Sequence, residues 1–218
     1  MIKLRRLFLL VFILDLAAFL FISSLPIHNS ALYNSFASED RSITSQAFIP
    51  MWLSIFPHNL LIATIEFIPI IGIFFFATSI YSTAMVVAVE GVHDHTSGLV
   101  IAISLMMLPH FWLELPAYSV ALSSGIYLLY YLIKGYPLKS YIKILYMYIF
   151  VVIELAIAGL IETSEIVLLR TKNPYSSFYM WIPGVFLIAF LIYLYRHFDK
   201  DEYKSKHKEL IDDIFNNS

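Results

Sequence analysis

The stretch at residues 7–25 reads LFLLVFILDLAAFLFISSL and contains a single ionisable residue, Asp15. A helix needs about 20 apolar residues to cross the hydrocarbon core of a bilayer, and this stretch has that length. Lys3, Arg5 and Arg6 precede it, as cations precede the apolar part of a signal peptide. The stretch is longer than that part usually is, and it lacks a small-residue cleavage site. We therefore predict an uncleaved transmembrane helix.

The rest of the chain has the same apolar character. Its 218 residues are 60% hydrophobic and 14% charged, whereas soluble domains are about 45–50% apolar and about 25% charged. So few charges could not cover so much apolar surface in a soluble globule. A formal net charge of -2 offers no basic surface for nucleic acid. The composition argues against a soluble enzyme and a nucleic-acid-binding protein, and it predicts a single integral membrane domain over residues 1–218.

Apolar runs predict an all-α, polytopic transmembrane helix bundle with about six spans. Residues 26–57 are polar and rich in turn formers, so we predict that they form an external loop. Near the end of this loop, residues 48–56 are predicted to form an interfacial segment. Residues 196–218 are predicted to be a charged cytoplasmic tail. The second run is too long for one straight span, and Pro69 and Gly72 offer a kink or break. The runs occupy residues 7–25, 59–89, 98–115, 117–133, 142–166 and 179–195.

The distribution of Lys and Arg predicts the orientation, because cytoplasmic loops are enriched in these cations. If the N-terminus lies inside and six spans alternate, the outer segments hold only Arg41, Arg170 and Lys172 of the 14 cations. Both termini are then cytoplasmic, and the chain is a multi-pass protein of the cell membrane. The connector EGVHDHTS, residues 90–97, falls inside although it has no cation. If the second run formed two spans, the later segments would change sides, and the distribution of their Lys and Arg residues between inside and outside would be inverted.

Several polar side chains interrupt the predicted spans, where ionisable groups are costly and need a reason. His110 and Glu114 lie four residues apart, on the same face of a helix. Pro109 and Pro116 bracket them and predict a broken or re-entrant helix. In the predicted orientation, polar groups from three spans meet in the outer half of the membrane. The candidate cluster is His58, Asn59, Glu66, Pro109, His110, Glu114 and Glu162.

Three interpretations of this cluster are open. Its side chains satisfy one another and the backbone groups freed by the prolines, or they line a pathway for a small molecule, a lipid or protons, or they form a metal or hydrolytic site. The last is disfavoured because the chain has no Cys and no HExxH or GxSxG motif. We therefore expect no metal, no cofactor and no catalytic residue, and the chain is not predicted to be an enzyme.

Small residues recur at intervals of four in the fourth run, at Ala117, Ala121 and Gly125. Such a face lets two membrane helices approach closely. We predict that it packs against another helix of the same chain. Its use between two copies, in a homo-oligomer, is the alternative.

Three segments resemble the stage II sporulation protein M family. Residues 108–125 read LPHFWLELPAYSVALSSG and are similar to the family's L-P-H-G-x-x-E-L-P-A pattern, with Phe111 where the family usually has Gly. Residues 56–60, FPHNL, look like the family's F-x-N-N-L entry to the second span, with His58 in place of the first Asn. Residues 156–162, AIAGLIE, are similar to its late A-x-I-E motif.

The resemblance implies a prokaryotic polytopic membrane protein without catalytic activity. The family member of endospore formers anchors partner proteins at the membrane, so the favoured prediction is a non-enzymatic scaffold in the lipid bilayer that binds other membrane proteins. The alternative is a permease-like subunit of an exporter with a separate ATPase, since the chain has no P-loop. The least favoured alternative is an intramembrane hydrolase. None of these involves nucleic acid.

Overall fold

A computed structural model describes residues 4–138, 141–170 and 175–193, and these contain helices and turns but no strand. Six helices in this part of the chain are long and apolar enough to cross a membrane, as predicted: Leu4–Ser23, Phe48–Glu66, Ile71–His93, Phe111–Lys134, Tyr141–Leu169 and Ser176–Tyr193. The protein is therefore an all-α, multi-pass membrane protein. The predicted tail at residues 196–218 lies outside the described residues.

Seven α-helices have defined bounds, which are α1 Leu4–Ser23, α2 Ser30–Thr44, α3 Phe48–Glu66, α4 Ile71–His93, α5 Gly98–Met106, α6 Phe111–Lys134 and α7 Tyr141–Leu169. A 3-10 helix follows at Ser176–Met180. Contacts divide the chain into a unit of residues Met1–Met180 and a unit of residues Trp181–Ser218. The described part of the second unit, residues 181–193, is helical and exposes large apolar side chains such as Ile182 and Phe186.

The second predicted run is two helices rather than one. Residues 48–56, predicted to be interfacial, form the first half of α3, which ends at Glu66. Pro69 and Ile70 then reverse the chain: the residue before a proline is disfavoured in helical geometry, and Ile70 has a φ of 69°. The helix resumes at Ile71, and the absence of a side chain at Gly72 lets the carbonyl group of Glu66 approach α4.

The third predicted span, residues 98–115, is not a span. Helix α5 has 9 residues, a length of about 14 Å at 1.5 Å per residue, and ends at Met106. A turn at residues 107–110 contains Pro109, and α6 then runs without interruption to Lys134 with Pro116 inside it. The break predicted between Pro109 and Pro116 therefore lies before His110. The number of candidate spans among the described residues is still six. The division of the second run adds one span, and the shortness of α5 removes another.

Helix α1 packs in parallel with α4 and antiparallel to α6. One core cluster joins Phe19, Ala84 and Phe111, and a second joins Val11, Phe76 and Leu122. Moving from the first cluster to the second, the residue numbers fall on α1 and α4 but rise on α6. The C-terminal ends of α1 and α4 therefore lie at the same end of the bundle.

The parallel packing of α1 and α4 places the connector at residues 90–97 on the opposite side from the one predicted. The prediction placed it on the inner side, opposite the external loop. In the structure, the ring of His93 stacks on the ring of Tyr33 in α2, with centroids 3.6 Å apart, and Gly98 packs against the backbone of Ser23 and Ala88. The connector and α2 therefore share one end, because one more helix precedes the connector than the prediction counted. A position outside also fits its lack of cations.

Candidate functional site

The polar residues of the first unit surround a cavity of about 170 Å³ between the helices. Its polar lining comes from α1, α3, α4, the start of α6 and the turn before α6. Aromatic and aliphatic side chains form the rest of the wall. The lining residues are Asp15, Phe19, Glu66, Phe76, Ser79, Ile80, Thr83, Leu105, His110, Phe111, Glu114, Leu115 and Tyr118.

His110 lies at the edge of this cavity because the turn at residues 107–110 ends there. Pro109 is buried in that turn, and His110 occupies the N-cap position of α6. Its Nδ1 atom forms a short hydrogen bond with Oε2 of Glu165 in α7. The side chain of His110 is 12% exposed and that of Glu165 is 1% exposed. This bond therefore joins α6 to α7 in a region from which water is nearly excluded.

Glu114 lies one helical turn further along α6 and joins it to two helices. The amide nitrogen Nδ2 of Asn59, in α3, donates a hydrogen bond of 2.8 Å to Oε1 of Glu114. Glu162, in α7, lies close enough to Glu114 to act on it electrostatically. Helices α3, α6 and α7 therefore meet at Glu114.

Glu66 is the most isolated carboxyl group at the cavity. The residue is 1% exposed, at the C-terminal end of α3. Its Oε2 atom has no hydrogen-bond partner among the described residues. Asp15, 3% exposed in α1, lies near enough to act on Glu66 electrostatically. Three acidic side chains, those of Asp15, Glu66 and Glu114, thus face one small space, and no Lys or Arg lines it.

The structure brings together most of the predicted cluster but not all of it. Glu66, His110 and Glu114 line the cavity, Asn59 and Glu162 are neighbours of Glu114, and Pro109 lies in the turn before α6. His58, predicted to belong to the cluster, is exposed. Successive helical residues point about 100° apart, so the inward position of Asn59 turns His58 outward.

Three residues of the site were missing from the predicted cluster. Glu165 follows Glu162 by three residues and therefore shares its helix face, a signal that could have identified it. Asp15 is the only acid in the first span and could have been identified by its cost there. Tyr118 has no such signal, because tyrosines are frequent throughout this chain, which has 15.

The small residues of α6 pack within the chain. Ala117 and Ala121 are fully buried. A Cβ atom on Gly125 would lie 2.7 Å from the carbonyl oxygen of Phe67 and 3.0 Å from that of Glu66. At Gly125 the stripe therefore faces the turn between α3 and α4, next to the backbone of Glu66.

The site is rich in groups that exchange protons and accept hydrogen bonds. Within residues 4–138, 141–170 and 175–193, no group of three or more His, Asp and Glu side chains is arranged to hold a metal ion. The carboxyl groups and His110 can hold and exchange protons, and the carboxyl groups at the cavity can accept hydrogen bonds from a ligand.

Comparison with known proteins extends the resemblance seen in three motifs. No curated protein and no solved structure matches the chain. A family model described as stage II sporulation protein M matches residues 7–164. That match includes α1 to α6, most of α7, and the polar residues from Asn59 to Glu162. The chain therefore belongs to the stage II sporulation protein M family.

Proposed function

We propose that the protein is a non-enzymatic integral membrane scaffold, which holds partner proteins at the cell membrane with both of its own termini in the cytoplasm. Family membership supports a membrane protein. The main support for a scaffold is that polar side chains of different helices bond to one another. The bonds of Asn59 with Glu114 and of His110 with Glu165 connect α3, α6 and α7. Bonds of this kind hold a bundle in one arrangement, as a scaffold requires.

Helix α2 gives this bundle a polar surface outside the membrane. It exposes polar and charged side chains such as Ser38, Glu39 and Asp40. Tyr33 stacks on His93, and Arg170, at the end of α7, donates hydrogen bonds to the carbonyl oxygens of Thr44 and Gln46. The helix is therefore attached at both ends to the bundle, and its exposed face is a fixed surface that a partner can contact.

Site-specific cross-linking in native membranes tests the proposal. A photo-reactive amino acid at Ser38, on the exposed face of α2, is expected to give discrete cross-linked products with other proteins. The matched position is Ile13, which is 61% exposed on α1 and faces lipid in a membrane; it is expected to give few such products. Cross-links at neither position, together with purification of the chain without other proteins, would contradict a scaffold.

A permease-like subunit with a separate ATPase is the second candidate, and the cavity favours it. The break between α5 and α6 lies beside a space lined by ionisable groups, which is an arrangement found in transporters. Glu114→Gln separates the two candidates. A scaffold keeps its partners after this change and shows no transport to lose, whereas a permease keeps its assembly but loses transport into reconstituted vesicles.

A further inference from the structure

The cavity beside Glu66 has an unusual combination of properties for an empty space in a membrane protein. Glu66 is 1% exposed, and its Oε2 atom has no partner among the described residues. Asp15 lines the same cavity, and none of the lining residues is Lys or Arg. His110, the one basic lining residue, already bonds to Glu165. A buried carboxyl group without a partner is destabilising. A cationic or hydrogen-bond-donating ligand in this cavity would therefore stabilise Glu66.

The aromatic part of the cavity wall indicates what kind of cation fits. Phe19, Phe76, Phe111 and Tyr118 contribute aromatic rings to the lining, and aromatic faces attract organic cations. A strongly hydrated inorganic ion would need more polar contacts than this wall offers. A cavity of about 150 Å³ in another protein accommodates benzene, so a volume of about 170 Å³ accepts a ligand of about six to eight heavy atoms by the same comparison.

We propose that this cavity binds a small organic ammonium ion, such as an alkylated amine, with its charge beside Glu66 and Asp15 and its alkyl groups against the aromatic rings. The inference is independent of the scaffold role. The cavity opens at the surface of the bundle beside α4, because Thr83 lines it and is also exposed at the surface of the helix. Ser79, one turn before Thr83, extends the polar side of this opening.

Equilibrium binding to the purified full-length chain in lipid nanodiscs tests the proposal. Tetramethylammonium is the probe, tert-butanol is a neutral molecule of similar size, and tetrabutylammonium is too large for the cavity. We expect saturable binding of tetramethylammonium by calorimetry or ligand-observed NMR. Neither of the other two molecules is expected to bind at this site. Equal binding of tert-butanol, or no saturable binding of tetramethylammonium, would overturn the proposal.

Two variants locate the site. Glu66→Gln keeps the shape of the side chain but removes its charge, and it is expected to weaken tetramethylammonium binding by about tenfold or more, since it replaces a charge-assisted contact. Glu154→Gln is the matched control, because Glu154 is also a buried acid with an unpartnered Oε2 atom but does not line the cavity. The affinity of this variant for tetramethylammonium is expected to match that of the wild type. Equal affinities for all three proteins would refute the site.

A third variant keeps the test decisive if Glu66→Gln does not fold. Phe76→Leu preserves an apolar residue at the wall but removes its aromatic ring. It is expected to lower the affinity for tetramethylammonium because the interaction between the cation and the ring is lost, and circular dichroism checks that the variant is folded. Unchanged affinity in this folded variant would contradict binding at the aromatic wall.

Discussion

Gly125→Ala is the substitution that most sharply tests the packing of α6 against the turn between α3 and α4. The new Cβ atom would lie 2.7 Å from the carbonyl oxygen of Phe67 and 3.0 Å from that of Glu66. Both are backbone atoms, so the turn itself must move. Gly125 lies nine residues before Lys134, which places this contact about 14 Å along α6 from its end. The turn therefore packs against the interior of the helix.

Gly159→Ala is a control with the same change of residue. Gly159 is also inside a helix, α7, but its new Cβ atom would meet only the side chains of Phe56 and Trp52, at 3.4 Å. Both substitutions gain the helix propensity of alanine over glycine, about 1 kcal/mol, so this contribution cancels in the comparison. The remaining difference is the cost of overpacking at Gly125, about 1–3 kcal/mol.

Reversible unfolding in mixed micelles, followed by circular dichroism, measures this difference. Gly125→Ala is expected to lower the free energy of unfolding relative to Gly159→Ala by about 1–3 kcal/mol. The reasoning is refuted if Gly125→Ala is as stable as Gly159→Ala, because the turn would then not approach α6 at this position.

Three further predictions concern the bundle and its ends. Glu165→Leu removes the partner of His110 and is expected to lower the free energy of unfolding by about 1–3 kcal/mol. Glu39→Leu, on the exposed face of α2, should change the free energy of unfolding by less than about 0.5 kcal/mol. Equal losses in the two variants would contradict a buried His110–Glu165 bond. Cysteines introduced at Ser38 and His95 are expected to react with an impermeant maleimide from the same side of the membrane, and labelling from opposite sides would contradict the parallel packing of α1 and α4. Arg170→Ala removes the hydrogen bonds to Thr44 and Gln46 and is expected to speed amide hydrogen exchange at residues 44–47 but not within α6, while unchanged exchange at that junction would count against the attachment of α2.

The class of the fold follows from composition, because 60% hydrophobic residues with 14% charged are compatible with few folds other than a membrane bundle. The helix boundaries do not follow, and the turn after Glu66 shows why. Its residues Phe67, Ile68 and Ile70 are as apolar as the helices beside it. Within the turn only Pro69 signals a break, with Gly72 just after it, and a positive φ at a β-branched residue such as Ile70 is rare. Close packing against Gly125, which is a tertiary contact, stabilises this turn.

The acidic residues of the candidate site could be predicted from the sequence because burying an acid in a membrane is costly. Glu66, Glu114 and Glu162 stand out because an acid in an apolar run needs a partner. Which partner each acid finds depends on the rotation and depth of neighbouring helices, which one sequence does not encode locally. The exposure of His58 beside the inward Asn59 shows this, since a rotation of one residue decides which of the two reaches Glu114.

A double-mutant cycle between Asn59 and Glu114 tests most directly the claim that polar side chains hold α3, α6 and α7 together. The free energies of unfolding are measured for the wild type, Asn59→Leu, Glu114→Leu and the double variant. The 2.8 Å hydrogen bond between the two side chains predicts a coupling of about 0.6 kcal/mol, the average found for such bonds within membranes, where the largest is about 1.7 kcal/mol. Additive effects, with a coupling below about 0.3 kcal/mol, would contradict the claim.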